Sequence, residues 1–402
     1  MDSKRGPGNR PLVFIFLTVF LDLLGVGILV PVLPFIVAEF RSDALTVGLL
    51  SLTFAAAQFF ASPVLGALSD RHGRRVVLLL SVLGTGAGYL LFGLAQTLWL
   101  LYLARLIDGF TGGNVSTAQA YIADVSPPED RAKNFGLIGA AFGLGFIMGP
   151  ALGGMLSLWS LRAPAFAAGA LSLVTVSLGY FLLPESLPPA KRERRPFRLA
   201  DLHPLGHLGE TVRRPGLARL FTAIFAMSFA MAGLQSNYAV FTRERFGLGP
   251  QGNAWIFTLV GAVSVLVQGV LLRRIPTAGR ERRIATWGLL LMACGFAATA
   301  FVPSVAWLYP ATVLLAFGNA SAAPMLTSEV SRTVSGVEQG KVLGSMQSVV
   351  SLTRILGPLW AGLVFDHVGH GAPYWTGALC VVAALAAASL SFQPADRAPL
   401  TS

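Results

Sequence analysis

Charge is what this sequence has least of. Asp, Glu, Lys and Arg make up 12% of 402 residues, and 54% are hydrophobic; mean hydropathy is +0.66. A soluble chain carries roughly 25% charged residues, so an aqueous globular protein is excluded. Cysteine is nearly absent. Cys294 and Cys380 both lie inside apolar runs, which leaves neither a disulfide framework nor a zinc site by spacing. There is no Gly-Lys phosphate loop and no nucleophile elbow. We therefore expect no enzyme, no metal and no organic cofactor.

What the chain has is long apolar runs. Twelve candidate spans lie at about 12–37, 45–69, 76–95, 98–123, 133–158, 164–183, 217–243, 251–272, 284–302, 306–328, 341–365 and 372–391. About twenty apolar residues cross a bilayer as a helix, so the expected fold is an all-α membrane protein. The first run is too long for a signal-peptide core and reads as a retained first helix. Twenty-four of the thirty Lys and Arg residues fall in loops on one side of these spans, four on the other. This asymmetry places both termini in the cytoplasm. It also explains the net charge of +11 as a topology signal with some affinity for anionic membrane lipid, rather than a nucleic-acid surface.

Residues 184–216 break the pattern with Pro and Arg and separate six spans from six. The expected domains are 1–183, a linker at 184–216, and 217–402. Leu199, Leu202, Leu205, Leu208 and Val212 recur at near-helical spacing in the linker, which fits either an interfacial helix or an unstructured segment. The halves repeat. Gly149-Pro150 with Gly153 and Gly154 returns 208 residues later as Gly357-Pro358 with Gly362, and the basic turn at 66–75 has an echo at 269–283. Duplicated halves with a substrate site at their interface are a common build for secondary transporters.

Charge inside a span is costly and marks function by default. Asp22 falls near mid-bilayer in the first span. It reads as a protonatable carboxylate, as the partner of a substrate cation, or as a neutral acid between packed helices. Arg105 and Asp108 are three apart in the fourth span, hence on one helical face. Either they neutralise each other locally, or Arg105 shifts between the carboxylates as Asp22 or Asp108 takes a proton; an adjacent cation lowers an acid's pKa and desolvation raises it. Arg354 in the eleventh span either meets a substrate anion or snorkels outward. Gln58, Asn114, Gln119, Gln235, Asn237, Tyr238, Asn319 and Gln347 either line a pathway or make helix-packing hydrogen bonds. Pro31 and Pro34 are expected to bend the first helix.

At the basic loops, Asp70, Arg71, Arg74 and Arg75 form a turn between the second and third spans, with Asp124 at the end of the fourth on the same side. These five are candidates for an inner gate. Gly145, Gly149, Pro150, Gly153 and Gly154 give the fifth span a smooth packing face. Asp366, His367 and His370 cluster beyond the eleventh span; an ordinary polar loop fits them better than a metal site.

The stretch Gly66-Ala-Leu-Ser-Asp70-Arg71-His-Gly73-Arg74-Arg75 resembles the signature between the second and third helices of the major facilitator superfamily. Gly145 to Gly154 resembles that superfamily's antiporter signature. Leu21-Asp22 to Pro34, Ala120 to Asp124, Glu244-Arg245-Phe246 and Gly357-Pro358 resemble its tetracycline-efflux branch of drug:proton antiporters. The resemblance implies two pseudo-symmetric six-helix bundles, twelve helices in all, with helices one, four, seven and ten around a central cavity. It implies export of a small amphiphilic drug in exchange for protons across a bacterial cytoplasmic membrane, hence antibiotic resistance, by a monomer. It carries coupling or gating roles onto Asp22, Asp70, Arg71 and Arg105.

The departures are specific. That branch has an acid before the tyrosine of the third helix, and here Gly88 precedes Tyr89; it has another in the ninth helix, and here none lies near Met292. The competing expectations are a transporter of a sugar or other metabolite, and a non-transporting membrane receptor or scaffold.

Overall fold

The structure is a computed structural model and describes residues 10–41, 43–126, 131–192, 214–274, 279–334 and 339–391. The leucines at 199–212 lie outside the described residues. Every element is helical, and no strand occurs among the described residues.

The first half comprises α1 (Arg10–Leu29), α2 (Leu33–Ala38), α3 (Ala44–His72), α4 (Arg74–Leu94), α5 (Leu98–Thr111), α6 (Asn114–Val125), α7 (Arg131–Leu156) and α8 (Ala163–Leu182). A 3₁₀ turn follows at Pro189–Lys191. The second half comprises α9 (Pro215–Phe246), α10 (Pro250–Val265), α11 (Glu281–Phe301), α12 (Val305–Arg332), α13 (Gln339–Val368) and α14 (Ala372–Ser391). Beyond Val265, α10 widens into a π turn, Leu266–Leu271, and ends at Arg274.

Ten of these helices are long and apolar enough to cross a membrane. The two remaining expected spans differ. The fifth corresponds to α7, whose described apolar window is Gly143–Leu156. The fourth is not one helix: it breaks at Gly112-Gly113 between α5 and α6. Consecutive glycines weaken a helix, and the carbonyl freed at Gly112 is taken by the Gln58 side chain at 2.7 Å. The first span also breaks, between α1 and α2. Pro31 has no N–H to donate, and Pro34 sits where α2 begins and loses nothing by lacking one.

The chain divides into two compact units. The first is Met1–Arg41, Thr53–Pro204 and Gly249–Thr258; the second is Ser42–Leu52, Leu205–Leu248 and Leu259–Ser402. In the first unit α1 packs on α7 and α8, and α4 packs on α8 and α5. The α1–α7 contact is glycine on glycine. A Cβ at Gly27 would stand 2.8 Å from the Gly145 carbonyl and 3.0 Å from Gly149 Cα. Bulk at either place would force the helices apart. Gly153 faces the Ile28 carbonyl of α1, and Gly154 faces Ala254.

The second unit repeats the device. α9 packs on α13 and α14, and α11 on α12. A Cβ at Gly357 would stand 2.9 Å from the Gly233 nitrogen, and one at Gly48 would stand 2.5 Å from the Pro358 carbonyl. The 208-residue repeat therefore carries the same packing chemistry in both units.

Candidate functional site

The first unit holds a charged cluster in its interior. Asp22 of α1 is 8% exposed and Asp108 of α5 is 2% exposed. Arg105, one turn before Asp108, donates from Nη1 to Asp108 Oδ2 at 2.8 Å. Its guanidinium also lies over the Phe54 ring of α3, 4.4 Å from the centroid. Tyr89 of α4 lies within electrostatic reach of Asp22, Asp108 and Arg105, and Asp108 within reach of Asp22. Among the described residues, Arg105 Nε and the Tyr89 hydroxyl are buried without a hydrogen-bond partner. A buried donor left unmade costs about 1–3 kcal/mol, a cost that the packing around the cluster must offset.

Glycines set the spacing of this cluster. α4 approaches α5 at Gly88, where a Cβ would stand 3.0 Å from Asp108 Cβ and 3.1 Å from the Ala104 carbonyl. The place where the resembled branch has its third-helix acid thus backs directly onto Asp108. A carboxylate carried at 88 would compete for the space that Asp108 fills. Gly25 gives the Tyr89 ring its room on α1, with a Cβ there 3.1 Å from the ring.

The basic turn forms a second cluster. Gly73 is the only residue between α3 and α4, at φ 103°, a conformation that glycine adopts without strain. Arg74, 9% exposed, pairs with Asp70 at 2.5 Å and, through Nε, with Asp124 at 3.1 Å. It also donates to Ser69 Oγ at 2.6 Å. Arg75 bonds the Tyr180 carbonyl and lies over that ring. Arg71 is half-buried on the same turn.

Two members of this cluster were not anticipated. Glu185 accepts the Arg74 backbone N–H at 2.9 Å, capping α4, and faces Arg192 at 3.8 Å. Ser186 donates to Asp124 at 3.1 Å. The first residues after α8 are therefore anchored onto the turn. The signal, an acid just past Pro184, carries no spacing that points 111 residues back.

The echo of this turn is more complete than its sequence shows. Arg282 pairs with Glu329 at 3.5 Å, and Arg332 with Glu281 at 2.5 Å. Arg282 lies 208 residues after Arg74, and Glu329 lies 205 after Asp124. These four residues were missed because the echo's glycines are scattered.

The polar residues of the second unit are of another kind. Tyr238 of α9 shares a hydrogen bond with Thr312 of α12 at 2.9 Å, and the Tyr374 hydroxyl of α14 donates to Asn237 Oδ1 at 3.5 Å. Asn237 and Tyr238 are each 2% exposed, in an aromatic knot with Phe241 and Tyr374. This is helix-packing geometry and not an open wall. Gln119, Gln235, Gln347 and Arg354 are exposed, and Asn319 is half-buried. Gln58 is committed to the Gly112 carbonyl. The Asn114 side chain lies outside the described residues.

Asp366 is not part of an ordinary polar loop. Its oxygens accept the Ala44 N–H at 3.1 Å and the Leu45 N–H at 2.8 Å. Asp43 takes the next amide, Thr46, at 2.8 Å. Three amides of the α3 N-terminus are thereby satisfied, two of them by a residue 321 and 322 positions away. Among the described residues no group of three His, Cys, Asp or Glu side chains is arranged to hold a metal.

The Major Facilitator Superfamily profile matches residues 15–280 and 277–401. The chain belongs to the major facilitator superfamily. It is 36% identical to the class C tetracycline resistance protein of Escherichia coli, over 94% of each chain. It is 29% identical to multidrug resistance protein 2 of Bacillus subtilis, over 94% of this chain and 95% of that one. The crystal structure of the human organic anion transporter MFSD10 (TETRAN) superposes with a TM-score of 0.72 at 29% identity, covering 95% of this chain and 99% of that one. The chain is thus an integral membrane protein of a transporter superfamily, with drug-efflux relatives and an all-α fold.

Proposed function

We propose that the chain is a proton-coupled antiporter that exports a small amphiphilic compound by alternating access. The observation that carries this reading is the buried Arg105–Asp108 pair with Asp22 in electrostatic reach. Asp22 and Asp108 are close enough for a charge on one to oppose a charge on the other. Arg105 also keeps a buried N–H with no partner among the described residues. That spare donor lets it answer a second carboxylate when Asp108 takes a proton. The proton is then the coupling ion, and substrate binding displaces it. Asp70, Arg71, Arg74, Arg75 and Asp124 close the basic side in one state and part in the other. The nearly buried Arg74 holds the closed state through its pairs with Asp70 and Asp124, and giving up those pairs selects the other state.

On this reading the chain crosses the membrane twelve times as two six-helix bundles, 1–183 and 217–402, joined by 184–216. Basic-loop asymmetry supports both termini in the cytoplasm. The bacterial efflux relatives support a bacterial cytoplasmic membrane, and we read the chain as a monomer with no nucleic-acid partner and no organic cofactor.

A second reading concerns the substrate alone. Arg354 is an exposed cation within the apolar helix α13, and one relative in hand carries organic anions by its name. An anionic amphiphile held by Arg354 fits this chain's departures from the tetracycline-efflux pattern.

The test is drug-evoked proton release from acidified inside-out vesicles, for wild type, Asp22→Asn and Asp108→Asn. Release in wild type that both variants lose supports antiport through paired carboxylates. Loss in one variant alone names the proton site. No response to cationic, zwitterionic or anionic amphiphiles overturns the drug reading and turns the search to sugars and other metabolites.

A further inference from the structure

Where α10 ends and α11 begins, the second unit opens a cleft of about 370 Å³, within the range of about 300–1,000 Å³ that holds small ligands. Its body is apolar, with Leu271 from α10, Trp287 from α11 and Phe317 from α12, and Arg280 and Arg283 stand at one end. Two features of the backbone meet at it. The π turn at Leu266–Leu271 fits an extra residue into the turn where α10 reaches the cleft. Gly288 leaves the floor bare, because α11 and α12 touch there. A Cβ at 288 would stand 2.9 Å from the Ala322 nitrogen and the Gly318 carbonyl.

The two arginines are on a different errand from their neighbour. Arg282 turns to Glu329. Arg280 and Arg283, three apart and on one face, are both exposed and have no carboxylate partner among the described residues. Trp287 follows on that face at 56% exposure. A cation pair, then an indole, then an aliphatic groove is the order in which a membrane changes from headgroup to hydrocarbon. All three helices are candidate membrane spans, so the cleft lies among helices that lipid would surround.

We propose that this cleft is a specific site for an anionic phospholipid, with its phosphate between Arg280 and Arg283 and one acyl chain along Leu271, Trp287 and Phe317. Charge complementarity commits the occupant. A zwitterionic lipid brings a positive choline or ethanolamine to a rim already carrying two cations. A basic pocket between helices at the cytoplasmic face is a known way to hold such headgroups.

The experiment is native mass spectrometry of the purified full chain from nanodiscs of phosphatidylglycerol and phosphatidylcholine. Wild type is expected to retain phosphatidylglycerol in preference. Arg280→Gln with Arg283→Gln is expected to lose that preference by roughly thirtyfold, about fivefold per arginine. Arg273→Gln with Arg274→Gln removes equal charge next to the cleft, at exposed positions that do not line it, and is expected to retain the lipid. Equal loss in both double variants means diffuse surface attraction and overturns the proposal, as does no loss in either. Phosphatidylglycerol displaced by millimolar inorganic phosphate would mean an anion site without a lipid and would also overturn it. Retention against phosphate, with Leu271→Trp weakening retention, supports the acyl half of the site.

Discussion

The first unit holds a charged interior cluster, Asp22, Arg105 and Asp108, beside neutral groups such as Thr18 and Thr85. The cluster of Asn237, Tyr238, Thr312 and Tyr374 in the second is neutral and mostly satisfied by its own members. Outside these interiors the units repeat closely. Gly149 has its Gly357, and Arg74–Asp124 has its Arg282–Glu329. Duplication has kept the packing glycines and the ion pairs at the basic ends, where both units must do the same thing. It has not kept the interior chemistry. On the proposed function, proton handling would then fall to one unit, and the other would pack and meet substrate through such residues as Arg354.

The largest test of that asymmetry removes the interior polar groups one unit at a time. Asp22→Asn and Asp108→Asn are expected to cut drug-evoked proton release on the order of a hundredfold or more, as the loss of a positioned proton carrier does. Tyr238→Phe and Thr312→Val are expected to leave coupling near wild type and to lower stability by about 1 kcal/mol, the worth of one hydrogen bond. Proton release and thermal unfolding in the same detergent read both. A coupling loss in the second unit as large as in the first would break the comparison.

Relocation sharpens it. Gly88 backs onto Asp108 Cβ, so a carboxylate at 88 would start beside the point where the Asp108 side chain starts. Asp108→Gly alone is expected to abolish exchange. Adding Gly88→Asp is expected to restore it above the single variant at equal expression, because the charge returns to the same place. No recovery would mean that Asp108 acts through its own backbone position and not as a carboxylate near Arg105.

The basic ends give a smaller contrast. Arg74 is nearly buried and meets Asp70, Asp124 and Ser69, whereas Arg282 is about a third exposed and has Glu329. Arg74→Ala is expected to cost about 1.5–3 kcal/mol, the range for charge-assisted bonds, and to slow transport. Arg282→Ala is expected to cost less than about 1 kcal/mol. Chemical unfolding and transport rates of the two variants compare them directly.

These contrasts were legible in the sequence to unequal degrees. The spans were plain because an apolar run of twenty residues has few other uses, and Arg105 with Asp108 was plain because helical spacing puts i and i+3 together. The break at Gly112-Gly113 was present as two letters, but the Gln58 amide that makes it tolerable lies on another helix. Glu185, Glu281, Glu329 and Asp366 act across 47 to 322 positions of chain. No local period announces such partners. Only the repeat offset of 208 pointed toward Arg282, and its glycines had drifted too far for the pairing to be read.

Asp366 gives an effect of similar modest size. Its carboxylate holds two of the first amides of α3 from the end of α13, and a Cβ at Gly362 one turn earlier would stand 2.8 Å from Leu45 Cα. Asp366→Ala strips two acceptors and a negative charge from a helix N-terminus, which costs about 1 kcal/mol. The Leu45 bond is exposed, so water replaces part of what is lost and the cost stays at that level. Asp366→Asn keeps an acceptor and loses the charge, so it should fall between alanine and wild type in a thermal melt. If asparagine instead melts with alanine, the charge on the helix end and not the hydrogen bond is what Asp366 supplies. The same melt repeated at high salt would then close the gap between wild type and both variants, because an exposed charge–dipole contact is screened while a hydrogen bond is not.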